Sequence, residues 1–252
     1  MTSLQQIVDY CDTLLSVGDY QDYAPNGLQV EGRGEVRRIV SGVTASQALI
    51  EAAIELEADL LLVHHGYFWK GESPSITGIK QRRIKALLAH DISLLAYHLP
   101  LDGHPELGNN AQLGRLLGFP AEGRFGHGPG GGIAIYGTLG EAITAEALSA
   151  LVGERTGREP LLIEGGTHQV RRIGWCSGGA QGYIEQAAAL GLDAYISGEA
   201  SEQTFHLARE LGIHFLAAGH HATERYGAQA LGGHLADHFT VENYFIDIPN
   251  PL

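Results

Sequence analysis

The chain is poor in sulfur and in positive charge. Its 252 residues include two cysteines, one methionine and 16 lysines and arginines, against 29 aspartates and glutamates. Cys11 and Cys176 lie far apart and neither belongs to a Cys-x-x-Cys pair. That count excludes a disulfide framework and argues against zinc held by thiolates, and a reducing, cytoplasmic setting is the expectation. The net charge of −13 would repel nucleic-acid backbones, and no basic stripe offsets it. The densest basic run, Lys80, Arg82, Arg83 and Lys85, falls within a predicted helix and reads as a solvated face. No apolar run approaches the ~20 residues of a membrane helix. The first residues, MTSLQQIVDYCDTLL, read as an amphipathic helix rather than a leader. There is no Gly-x-Ser-x-Gly elbow and no nicotinamide fingerprint. Ser177-Gly178-Gly179 resembles neither.

What the chain does have is alternation. Short aliphatic runs at 39–43, 59–63, 92–96, 173–176, 193–196 and 214–217 read as buried strands. Alanine- and leucine-rich segments at 46–57, 79–89, 183–190 and 201–211 carry helical spacing. Such alternation predicts βαβ units and an α/β fold with largely parallel sheets. A faint repeat runs through it. At an offset of 134, Glu51 meets Glu185, Leu56 meets Leu190 and Asp59 meets Asp193. Duplication and the chance likeness of two βαβ units both account for this. The glycine-rich stretch at 123–132 lacks a P-loop ending and reads as a flexible boundary. The expected organisation is therefore a first α/β domain at 1–125, with His64, His65, His98 and Asp102. A second half at 126–252 carries Glu199, His220 and Glu224, with interleaving of the two left open.

The thirteen histidines are informative through their placement. His64 and His65 follow the apolar run at 60–63, and in parallel sheets ligands gather beyond the carboxyl ends of strands. Neighbouring side chains on a strand point to opposite faces, so one packed and one exposed imidazole is the alternative reading. His98 and Asp102 follow the next strand, with Pro100 predicting a loop between them; a lone loop aspartate is otherwise a turn former. His220 and Glu224 would share one face if their loop enters a helix. His221 would point elsewhere. Three strand ends thus supply histidine with histidine or carboxylate. Mixed donors of this kind suit Zn, Fe, Mn or Co. Four to six of them exceed the three that one catalytic ion uses, whereas two ions ~3.5–4 Å apart would employ them all.

These segments resemble a known family. PNGLQVEG (25–32), SGVTAS (41–46), VHHGYFW (63–69), YHLPLD (97–102), GNN (108–110), SGEASEQ (197–203) and GHHATERYG (219–227) occur in the order seen in the dinuclear-metal-centre, or Nif-three-like, family. Its members are often called type 2 GTP cyclohydrolase I homologues, and the likeness is to the short bacterial ones. The resemblance implies metal ligands at His64, His65, Asp102, His220 and Glu224, with Glu224 as the bridge between two ions. It places His98 and Glu199 as candidates for acid–base or substrate contact. It implies two α/β domains with the metal site at strand C-terminal ends between them, and a toroidal hexamer. One departure stands out: many relatives have an aspartate near the start of the second-half motif, where this chain reads Ser197-Gly198-Glu199. The longer glutamate makes a shared role there less direct.

Two functions follow as expectations. One is a metal-dependent hydrolase acting on a phosphoester, a nucleotide or a pterin-like C–N bond, with a small-molecule substrate. The other is a metal-binding or regulatory assembly without turnover. The chain shows neither a phosphate-cradling loop nor a basic cluster for a triphosphate.

Overall fold

The computed structural model describes residues 2–252, and they divide into two compact units. The first comprises residues 2–101 and Gly227–Pro249, the second Asp102–Tyr226 and Asn250–Leu252. The boundary thus falls at 101/102 rather than 125, and part of the C-terminal region returns to the first unit. The cause is packing. Leu113 and Leu117 belong to the second core with Trp175, whereas residues 242–245 pair with a strand of the first sheet. The glycine-rich stretch lies inside the second unit and is partly ordered as a strand.

The first unit contains β1 (Thr2–Ser3), α1 (Leu4–Leu14), β2 (Gly27–Val30), β3 (Glu35–Val36), β4 (Arg38–Thr44), α2 (Gln47–Glu55), β5 (Leu60–His65), α3 (Gly78–Ala89) and β6 (Ser93–Ala96). Helix α4 (Leu99–Gly103) carries the chain into the second unit. There follow α5 (Asn109–Leu117), β7 (Gly123–Phe125), β8 (Ala134–Ile143), α6 (Ala145–Thr156), β9 (Leu161–Ile163), β10 (Val170–Cys176), α7 (Ile184–Ala189), β11 (Ala194–Ser197), α8 (Glu202–Leu211) and β12 (His214–Ala217). Helix α9 (His220–Phe239) and β13 (Glu242–Phe245) complete the chain.

The first sheet has the order β13-β4-β5-β6-β2, parallel except at β6–β2. Its inner strands are continuous apolar runs, as a sheet covered on both faces requires. Leu60, Leu61, Leu62 and Val63 are all fully buried. The second sheet has the order β7-β8-β10-β11-β12-β9 and is parallel only through β10-β11-β12.

The faint repeat becomes concrete in the hydrogen bonds. Asp59 Oδ2 accepts from the backbone N–H of Arg37 (2.8 Å) and Arg38 (3.0 Å). Asp193 Oδ2 accepts from Arg171 (2.9 Å) and Arg172 (2.7 Å). The Arg38 guanidinium donates to Leu56 O, and that of Arg172 to Leu190 O. Glu57 and Gly191 both take positive φ, 51° and 67°, one residue later. Each pair is related by the same offset of 134 found in the sequence. Generic βαβ units share hydrophobic spacing. The two copies here also share an aspartate that ties down the start of the preceding strand, which favours duplication over chance likeness.

Candidate metal-binding sites in the two units

In the first unit the donors stand at the carboxyl ends of β5 and β6. His64 and His65 are the last residues of β5, and Gly66 follows. A Cβ at Gly66 would lie 2.7 Å from Ala96 Cβ, which is fixed to the backbone and cannot swing away, so the close approach there favours glycine. The expected divergence of neighbouring side chains is lost at the strand end. The two imidazole centroids are 4.5 Å apart, and that of His98 lies 5.1 Å from His64. One ring nitrogen of each of the three histidines lies within 4.8 Å of the others. His64 is completely buried.

Each ring is held by its Nδ1. That of His64 lies 2.9 Å from Tyr97 O, that of His65 3.2 Å from Thr44 Oγ1, and that of His98 2.9 Å from Asp22 Oδ1. These contacts leave Nε2 as the nitrogen that can meet an ion. An oxygen behind a ring is the usual device for orienting a metal-ligating histidine. Burial works against charge on Asp22. The His98 ring, Asn26 and the Leu99 N–H outweigh it and bring the carboxyl down to about 2. Tyr23 and Trp69 pack edgewise on His98, with centroids 5.0 Å away in both cases. Phe68, just before Trp69, takes a φ of 66°, a strained setting for a bulky residue.

In the second unit His220 opens α9, as its spacing with Glu224 anticipated. His220 Nε2 lies 3.0 Å from Glu224 Oε2, one turn on. Its Nδ1 lies 2.6 Å from Glu199 Oε1. Partial burial pulls the His220 pKa down, but the bonds and charges of Glu224 and Glu199 prevail and raise it to about 9. The two carboxylates thus favour the imidazolium form of the ring, and a divalent ion bound by His220 Nε2 and Glu224 would have to displace the Nε2 proton. Gly178, with a φ of +64°, makes room for them: a Cβ there would fall 2.0 Å from Glu224 Oε1 and 3.3 Å from His220 Nε2. Asp102 is not on a loop. It belongs to α4, because a proline in a first turn forfeits no helical hydrogen bond. Its Oδ1 accepts from Asn109 Nδ2 (2.9 Å) and Ser177 Oγ (3.3 Å).

The donors of the first unit are imidazoles and those of the second are imidazole and carboxylate, residue types expected for Zn, Fe, Mn or Co. Neither cysteine competes. Burial and the Asp12 charge raise the Cys11 thiol to about 12. Burial, with Asp102 and Glu224, holds Cys176 well above its ordinary value.

The family model for Duf34/NIF3 (NGG1p interacting factor 3) matches residues 2–251. The chain belongs to this family. Its relatives include proteins named GTP cyclohydrolase 1 type 2 homolog. That of Pseudomonas aeruginosa is 60% identical over 249 residues, covering 99% of this chain and 98% of the relative. That of Allochromatium vinosum is 54% identical, covering 100% and 98%. Among solved structures, protein ybgI, described as of unknown function, matches with a TM-score of 0.95 at 50% identity, covering all of both chains. A Thermus thermophilus protein matches with a TM-score of 0.90 at 34% identity over the same full coverage.

Sequence reasoning did not single out Asp22, Thr44, Tyr97 O or Gly178. Asp22 reads as a turn former, a backbone carbonyl has no sequence signal, and Gly178 lay in a motif that resembled nothing.

Proposed function

We propose that His64, His65, Asp102, His220 and Glu224 are ligands of divalent ions, two per chain, and that the metal-loaded protein hydrolyses a phosphoester or the C–N bond of a nucleotide or pterin-like ring. One observation carries this reading. Every imidazole among these donors has Nδ1 engaged by an oxygen, so that Nε2 is the nitrogen offered, and the Nε2 of His220 stands beside a carboxylate. Five donors are more than one catalytic ion employs. When bound, two such ions would acidify water and polarise the bond under attack.

The residues have separate tasks. His98 takes up a proton during hydrolysis. Glu199, whose side chain is 48% exposed, holds the His220 ring. Asn109 and Ser177 hold Asp102. The relatives' name refers to GTP. The substrate class proposed here is broader, because the chain carries no phosphate-cradling loop. A cytoplasmic homohexamer is part of the same proposal, and light scattering should then give six times the 27.0 kDa chain mass.

The deciding measurement is metal content per chain. The native protein should hold about two equivalents, as two-ion hydrolase centres do, and His64→Ala and Glu224→Ala should lose them. One equivalent or fewer after reloading with Zn, Mn or Fe, or unchanged content in the variants, would refute the paired site. Two ions with no turnover of phosphoesters, nucleotides or pterins would favour the regulatory assembly instead.

A further inference from the structure

Among the three clustered imidazoles, His98 differs in what stands behind it. His64 is backed by a carbonyl and His65 by a hydroxyl, both neutral. His98 is backed by a carboxylate. Neutral acceptors suffice to orient a ring. A carboxylate also stabilises the cation that forms when the ring accepts a proton, which is its role in hydrolytic triads.

Asp22 is itself fixed to an unusual degree. Its Oδ1 accepts from the Tyr23 N–H (2.7 Å) and the Ala24 N–H (3.3 Å), besides facing His98 Nδ1. Its Oδ2 accepts from Asn26 Nδ2 (3.0 Å) and the Leu99 N–H (2.9 Å). Asn26 Oδ1 in turn accepts from the His98 N–H (2.7 Å). A turn-forming aspartate needs only its local N–H partners. Here the same carboxylate reaches 76 residues along the chain and grips His98 by its ring and, through Asn26, by its backbone. The side chains of Asp22 and His98 are 3% and 9% exposed. Tyr23 and Trp69 close over the ring.

We propose that Asp22 is a positioning residue: it fixes His98 as the Nδ1–H tautomer and turns a basic Nε2 toward His64 and His65, where it accepts the proton that water loses as it attacks substrate. The O–H bond of water breaks, an N–H bond forms at Nε2, and the hydroxide equivalent joins the electrophilic phosphorus or carbon. The imidazolium is held against the Asp22 carboxylate until its proton passes to the leaving group. The proton transfer rests on the hydrolase reading above. The tautomer does not.

The test is long-range 1H–15N spectroscopy of histidine-labelled protein, ion-free and zinc-loaded, on neutral rings. The native His98 should show a protonated Nδ1 and a bare Nε2. In Asp22→Asn the amide can donate to Nδ1, so this signature should be lost or reversed. Zinc content should remain native in both Asp22→Asn and His98→Gln. Against a substrate found by screening, Asp22→Asn should lower kcat by roughly 10²–10⁴-fold with KM little changed. A native ring protonated at Nε2, an unchanged tautomer in Asp22→Asn, or loss of zinc in His98→Gln would overturn the assignment. The native measurement decides the tautomer even if the variant does not fold. A correct tautomer in a protein that hydrolyses nothing would overturn the proton-transfer step together with the hydrolase reading.

Discussion

Gly178→Ala should abolish cation binding in the second unit while leaving the fold intact. Two costs combine there. The residue has a φ of +64°, and an alanine in that region costs about 1–2 kcal/mol. Its Cβ would also stand 2.0 Å from Glu224 Oε1, where real contacts stay beyond 3.0 Å. Glu224 is 3% exposed and lies on a helix, so it has little room to retreat. Moving its carboxylate breaks the 3.0 Å contact with His220 and leaves a buried acceptor poorly paired, at about 1–3 kcal/mol. The total of roughly 2–5 kcal/mol should lower Tm by several degrees and remove bound zinc. Two controls separate the costs. Gly157→Ala has the φ penalty (+73°) with nothing within 4 Å, and Gly182→Ala meets nothing and carries no positive φ. The expected order of Tm loss is Gly178, then Gly157, then Gly182, with zinc lost only in the first. Native zinc content in Gly178→Ala, or a Tm loss no greater than that of Gly157→Ala, would refute the idea that this glycine makes room for Glu224.

Other outcomes follow from the same geometry. The pKa of His220 is raised from 6.5 to about 9, so its contacts with Glu199 and Glu224 stabilise the ion-free protein fully below pH 6.5 and fade as pH rises through about 9. Thermal melts in chelator should show that decline, and His220→Gln should flatten it; zinc affinity should rise over the same interval, because the ion must displace the proton. Asp59→Ala and Asp193→Ala should each cost about 1–3 kcal/mol in urea melts, since each leaves two backbone N–H groups without their acceptor. The loss should be larger at Asp59, which is more deeply buried and also pairs with Arg33 at 2.9 Å. Equal indifference at both positions would remove the aspartates as the anchor of the repeat.

Much of the secondary structure was legible because buried parallel strands are written as uninterrupted apolar runs. The run at 214–217 coincides with β12, and the other expected strands differ from the observed ones by a few residues at their ends. The helical segment expected at 46–57 is α2, and the structure shows its start capped by Ser46, which accepts from the Leu49 N–H. Pro100 misled, because a proline marks a break only where an N–H is needed. The glycines at 123–132 misled for a related reason. Positive φ at Gly126, Gly128, Gly130, Gly131 and Gly132 makes a tight turn after β7, and a tight turn within a unit looks in sequence like a linker between units.

The candidate donors belong to the first kind of information. Histidine and carboxylate at the ends of apolar runs are visible in sequence because strand ends are local. What surrounds them is not local. The partners of His98, His64 and His65 come from positions 76, 33 and 21 residues away, and one of them is a bare carbonyl. The sequence by itself therefore determined the elements, the repeat and the residue types that can hold a metal, since each depends on spacing along the chain. Only the tertiary structure decided which nitrogen each histidine offers, which carboxylate stands behind His98, and why residue 178 must lack a side chain, since each depends on chain segments that meet only after folding.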